Sequence, residues 1–303
     1  MADQTKTVSE ADRKLFKQQA REARIKSFRE GWYRMTRNKA TVISLVVIVI
    51  LVLIAILAPI ISPYDYAAVD PLNANQGPSL AHPFGTDNIG RDLMSRIFYG
   101  ARYSIAIAFV SQGIGILGGI LLGAIAGYFE GLLSDVLMRL CDILQAIPAT
   151  LLAIVVSQSL GSGFLATTIA LSISTIPSVG RIVRSLILQI RNQEFIEAGR
   201  AIDCSDARLI IRHILPNIIP QVIISFTGGL SGKIIESASL SYLGLGIQPP
   251  TPEWGALLSD GKAYIRYYPH LVIAPGIFII IAALAFNLVG DGLRDALDPK
   301  LRD

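Results

Sequence analysis

Cysteine, histidine and charge are all scarce in this chain, and each scarcity removes a class of function. Two cysteines among 303 residues, Cys141 and Cys204, cannot build a disulfide framework, and no CxxC or Cys/His cluster accompanies them. His82, His213 and His270 lie in three separate stretches without ligand-spaced neighbours, so no metal centre is expected. The phosphate-cradling pattern G-x-x-x-x-G-K-S/T is missing. Gly232-Lys233 runs into Ile234, and Gly261-Lys262 into Ala263, so nucleotide chemistry belongs to another subunit and no cofactor is expected on this chain. Charged residues make up only 17%, and a net charge of +4 gives no footprint for nucleic acid.

Apolar residues make up 52% of the chain, which points into a bilayer. Residues 41–61 are aliphatic and free of charge, long enough to span about 30 Å of hydrocarbon. This run exceeds the core of a signal peptide and reads as a retained anchor. Further spans are expected at 104–128, 146–160, 164–183, 218–245 and 271–289, which makes an all-α polytopic membrane protein with six transmembrane helices. Residues 1–40 form a basic leader, in which Trp32 and Tyr33 among Arg29, Arg34 and Arg37 fit an interfacial helix. Residues 62–103 read as an extramembrane loop, 104–291 as a five-helix core with a polar loop at 185–217, and 292–303 as a tail.

The basic residues set the orientation. Eleven of the 27 Lys and Arg precede Thr41, and six more flank or occupy the 185–217 loop, whereas the loops assigned to the other face carry three and two. Lys and Arg collect on the cytoplasmic side, so both termini are expected in the cytoplasm of a bacterial cell.

Four features bear on function. Gly115, Gly119, Gly123 and Gly127 recur every four residues on one helical face, where a second helix can approach closely, either within the chain or from another subunit. Gly229-Leu230-Ser231-Gly232 has the look of an intramembrane serine-protease motif, but its one candidate base, His270, sits at the polar end of the last span. Lys233 and Glu236, three apart, are the charges placed inside a span, and they either line a translocation path or proton relay or form a structural ion pair. The stretch 195–217 reads as two short helices broken at Asp203-Cys204-Ser205-Asp206, the second ending at Leu215-Pro216. Thr86-Asp87 is expected to cap a helix near Asn88, and Gly290-Asp291-Gly292 to end the last one.

Glu197-Ala198-Gly199 followed by Ile214-Leu215-Pro216 is similar to the E-A-A…G…I-L-P loop of bacterial ABC importer permeases. Gly199 stands where the second alanine does, and Asp203 where the loop glycine does. Asp tolerates the left-handed backbone region better than most residues. His82-Pro83-Phe84-Gly85-Thr86-Asp87 with Gly90-Arg91-Asp92, Ser239-Leu240-Ser241-Tyr242-Leu243-Gly244-Leu245-Gly246, Pro249-Pro250-Thr251-Pro252-Glu253-Trp254-Gly255 and the run from Asn287 to Pro299 resemble the C-type permease of dipeptide/oligopeptide importers. The resemblance covers nearly the whole chain. It implies the type I importer permease fold and a plasma-membrane subunit paired with a homologous second permease. It further implies two cytoplasmic ATPases that use Mg-ATP and an extracytoplasmic peptide-binding protein. Glu197, Ala198, Gly199, Ala201, Asp203, Leu215 and Pro216 would then seat the ATPase. Glutathione and nickel-chelate importers share these motifs and remain alternatives, while a proton-coupled carrier using Lys233 and Glu236 is the different-class rival.

Overall fold

The computed structural model describes Tyr33 and residues 35–297. The basic leader, apart from these last positions, and residues 298–303 lie outside the described residues. The first helix, α1 (Lys39–Ile61), begins at Asn38, whose side chain accepts from the backbone N–H groups of Ala40 and Thr41. Its 23 residues reach about 35 Å, enough to cross a bilayer.

α2 (Leu93–Tyr128) starts eleven residues earlier than the sequence led us to expect. Asp92 is the cap, accepting from Ser95 N–H at 2.7 Å. Thr86 and Asp87, the expected cap, have other partners: Thr86 Oγ1 accepts from Gln76 N–H at 2.9 Å, and Asp87 takes two arginines. The glycine face of α2 lies on α5 (Phe164–Ile190), and the two form the most extensive helix pair in the fold. A Cβ at Gly115 or Gly119 would stand 2.5 Å from Cβ of Thr175 or Val179, and one at Gly123 would stand 2.5 Å from the Gly180 carbonyl oxygen. The stripe therefore packs within the chain, bringing two backbones together where apolar burial gives no drive.

The third expected span, 146–160, is half of a bent pair. α3 (Leu132–Ala146) and α4 (Ala149–Leu160) meet at 93°. Pro148 has no N–H to continue the ladder and holds Ile147 in an extended conformation, which forces the break. At 12 residues α4 is about 18 Å long, too short to cross alone. Among the described residues five helices are long and apolar enough to span a membrane, six when this pair counts as one.

After α5 come α6 (Glu194–Ala201) and α7, a continuous run from Asp206 to Tyr242. The second short helix does not end at Leu215-Pro216. A wide turn at Ile210–Ile214, in which Leu215 N–H donates to the Ile210 carbonyl five residues back, leads directly into the long helix with Pro216 in its first turn. The wide turn absorbs the bond that the missing proline N–H cannot make, so the helix continues through it. α8 (Trp254–Gly261) sits in the polar stretch between the last two spans, and α9 (His270–Leu297) closes the bundle against α7 and α1. Gly290-Asp291-Gly292 lies inside α9 and does not end it. A Cβ at Gly290 would press the backbone of Gly228, and one at Gly292 the side chain of Thr41, so these glycines serve close packing.

Candidate functional site

Three polar regions stand out of an otherwise apolar bundle. The first lies at the Tyr128 end of α2, where α6, a four-residue break and the start of α7 fold into a knob. Ile196, Leu209, Ile214 and Ile218 are fully or almost fully buried in a cluster with Val183, Ile187 and Tyr128. The Tyr128 hydroxyl donates to Asp206, and the Arg200 guanidinium stands 5.6 Å over the Tyr128 ring. Asp203 adopts φ +58°, the left-handed conformation expected of the residue replacing glycine, and the Asp203 N–H closes on the Arg200 carbonyl at 3.0 Å.

Within the knob the expected residues divide. Glu197, Ala198, Ala201, Asp203 and Pro216 are exposed, Leu215 is half-buried, and Gly199 faces inward. A Cβ at Gly199 would come 2.6 Å from Leu209 Cδ2, so this glycine seats the second helix of the knob on the first. Sequence reading passed over three large exposed apolar side chains on the same element, Phe195, Ile202 and Ile211. Phe195 neighbours the buried Ile196 on α6, Ile211 stands in the wide turn of α7, and Ile202 lies in the break between the two helices.

The second region is a cavity of about 680 Å³ between α2, the α3–α4 elbow, α5, α7 and α9. Lys233 is 6% exposed and donates from Nζ to Glu236 Oε2 at 2.6 Å and to Ser174 Oγ at 3.2 Å. The Glu236 side chain keeps 31% exposure toward the cavity. The two side chains thus meet each other and border the cavity. Gln112, Asp291 and Arg294 line the same cavity. Asp291 was missed because Gly290-Asp291-Gly292 read as a helix end, and Arg294 because residues 292–303 read as a tail, whereas α9 carries both up to the space. Ser231 hydrogen-bonds to the Gly228 carbonyl one turn back, the behaviour of a helix serine.

The third region lies at the Leu93 end of α2. Asp87 accepts from Arg91 Nε at 2.6 Å and pairs with Arg96, whose Nη2 also reaches Asp260 of α8 at 3.5 Å. Glu253 is fully buried and caps α8, accepting from Ala256 N–H at 3.0 Å and from Ser104 Oγ at 2.8 Å. Burial pushes its carboxyl above the usual carboxylate range, while the hydrogen bonds from Ser104 and Ala256 pull it back. A raised value in the fold means that the fold holds the proton more tightly than the unfolded chain. The contribution of Glu253 to stability therefore falls as pH rises through that range. Glu253→Gln should flatten the fall in melting temperature, measured in detergent, as pH rises above the usual carboxylate range. Glu253→Ala, which strands Ser104 and the Ala256 N–H, should lower stability by about 1–3 kcal/mol on either side of that range. An unchanged slope in the glutamine variant would contradict this assignment.

Residues 119–303 match the family model of the binding-protein-dependent transport system inner membrane component, and residues 27–78 match the N-terminal TM domain of oligopeptide transport permease C. The chain is 42% identical over 278 residues to the dipeptide transport system permease protein DppC of Alkalihalophilus pseudofirmus, covering 92% of this chain and 91% of that one. It is 45% identical over 276 residues to the glutathione transport system permease protein GsiD of Escherichia coli, covering 90% of each. Among solved structures, an inward-facing form of the MetNI methionine ABC transporter superposes with TM-score 0.57 at 20% identity, over 68% of this chain and 98% of that one. At that identity the likeness speaks for the fold alone.

Proposed function

We propose, for a chain that belongs to the binding-protein-dependent transport system inner membrane components, that it forms half of the path by which an ATP-driven importer carries small peptides across the inner membrane. The observation that carries this reading is the cavity between α2, α5, α7 and α9. It is lined by both signs of charge, with Lys233 already neutralised by Glu236. Such a lining suits a solute with an ammonium and a carboxylate, and it would repel neither end of a dipeptide. A dipeptide permease at 42% identity supports this substrate class. Glutathione, supported by relatives at 45% identity, is the second reading. Competition between the two for uptake separates them.

The knob supplies the drive. Phe195, Ile202 and Ile211 present apolar surface around Glu197, Ala198 and Ala201, a pattern fitted to a groove on a partner protein. That partner is a cytoplasmic ATPase, one of two that use Mg-ATP on the importer's behalf. A homologous second permease completes the path, and a peptide-binding protein delivers substrate on the far face. When the ATPases close, the knob moves, and α7 carries the motion to the cavity because no break separates Ile214 from Lys233.

A tagged chain should co-purify with a second permease and an ATPase, and retrieval of the chain alone from gentle detergent would count against the assembly. Both termini are assigned to the cytoplasm, and the knob with them. Cys204, half-buried in the knob, should react with a membrane-impermeant maleimide only after lysis. Cys141, 1% exposed, should stay protected before and after. Labelling of Cys204 in intact cells would invert the topology.

A further inference from the structure

A groove of about 460 Å³ opens between α1 and α2, apart from the cavity around Lys233. Its walls are Val52, Ala55 and Ile56 of α1 and Ile105, Ala106 and Phe109 of α2, all apolar, and Arg102 stands at the end nearer Leu93. Ala55 and Ile105 lie buried at its floor, while Ile56 and Phe109 are exposed at its rim. Arg102 is itself exposed and, among the described residues, pairs with no carboxylate. The acids around that end of α2 are already engaged. Asp87 and Asp260 hold Arg91 and Arg96, Asp92 holds His82, and Glu253 is enclosed with Ser104 and the Ala256 N–H.

Depth decides what can enter this groove. Tyr99, one turn before Arg102 on α2, packs on Tyr66 with 4.6 Å between ring centres, and tyrosines gather at the membrane–water boundary. Ile56 lies five residues before Ile61, the end of α1, or about 8 Å along the axis. Arg102 therefore reaches the level of lipid phosphates, and the groove below it runs into the hydrocarbon toward Phe109 and Val52. A guanidinium offers a phosphate several charged donors, and the apolar walls offer an acyl chain contact along its length. A helix of another subunit would have to carry a carboxylate into the membrane to neutralise Arg102, whereas a lipid already holds its phosphate at that depth. The unpaired positive charge favours a headgroup with net negative charge over a zwitterion. We propose that this groove binds one anionic phospholipid, with its phosphate on Arg102 and one acyl chain between α1 and α2. The lipid fills the seam that the short side chains of Ala55 and Ala106 leave open, and so ties the first span to the core.

The test uses the full chain with its partner subunits, stripped of native lipid and returned to an equimolar mixture of phosphatidylglycerol and phosphatidylcholine. Lipid retained after gel filtration is counted by mass spectrometry. The wild type should hold phosphatidylglycerol in preference, and Arg102→Gln should weaken that retention about tenfold, the loss expected for a hydrogen bond between charged groups. Ala106→Phe, which fills the groove and leaves Arg102 in place, should release the same lipid by a separate route. Ile56→p-benzoylphenylalanine, irradiated in the mixed bilayer with Arg102 intact, should give phosphatidylglycerol adducts in excess of phosphatidylcholine adducts, and adding Arg102→Gln should equalise them. This cross-link keeps the proposal open to refutation even where Arg102→Gln or Ala106→Phe fails to assemble. Equal adducts of the two lipids with Arg102 intact would show only passing bilayer lipid and overturn the site. Cross-linking of position 56 to the second permease in place of lipid would overturn it too, as would unchanged retention of phosphatidylglycerol in both Arg102→Gln and Ala106→Phe.

Discussion

Uptake is expected to collapse when Gly199 becomes phenylalanine, although the membrane bundle should remain intact. Gly199 holds α6 against the start of α7, with Leu209 Cδ2 in the space where a side chain would begin. Leu209 belongs to a cluster with Ile196, Ile214 and Ile218 that is sealed from solvent. An alanine displaces only the tip of Leu209 and should be tolerated. A phenylalanine must prise the two helices of the knob apart, at about 1–3 kcal/mol of overpacking. The same cluster runs on into the α2–α5 seam through Val183 and Val179, but the penalty is centred on Leu209 in the knob, and Gly115, Gly119 and Gly123 hold the seam by close approach further along α2. Assembly with the second permease should therefore persist, while ATPase retention and uptake fall by tenfold or more. Glu197→Ala is expected to resemble it through a different cause. Glu197 is exposed in the isolated chain, so its loss leaves the knob folded and removes only a contact made on docking, about 2–5 kcal/mol if the charge is enclosed there. Normal uptake in both variants would sink the docking assignment.

Lys233→Ala is expected to lower stability by about 2 kcal/mol, less than a fully enclosed pair would cost, because Glu236 keeps 31% exposure. The alanine leaves the Glu236 carboxylate inside a span without its partner and frees Ser174 Oγ from its donor. The double variant, Lys233→Ala with Glu236→Ala, should recover much of that loss in thermal melts, since a missing pair is cheaper than half of one. Its uptake should stay low, because the cavity wall has lost both members of its charge pair. Full stability in the single variant would show that the pair does not hold α7 in register with α5.

What could be read from sequence was whatever depends on local chemistry. The aliphatic run 41–61 can only be a span, and α1 covers it. Asp203 could be expected to take the left-handed bend because a short polar side chain is the least costly substitute for glycine, and its φ is +58°. The i, i+3 spacing of Lys233 and Glu236 required them to meet. The misreadings share one cause: residues that usually punctuate helices are here used for packing or absorbed by distortion. Pro216 follows the wide turn at Ile210–Ile214 and so does not stop α7. Gly290 and Gly292 let α9 approach α7 and α1 and do not end it. The reach of Arg96 to Asp260 and the seat of Gln112 on Gly229 join residues far apart in the chain, so no local pattern announces them.

The most direct measurement is uptake of a labelled dipeptide by inside-closed vesicles that contain the complete complex, with either ATP or an imposed proton gradient as the sole energy source. The account predicts intact dipeptide accumulating with ATP, abolished by Glu197→Ala and indifferent to the gradient. Accumulation driven by the gradient without ATP, and surviving Glu197→Ala, would contradict it and make Lys233 and Glu236 a proton relay.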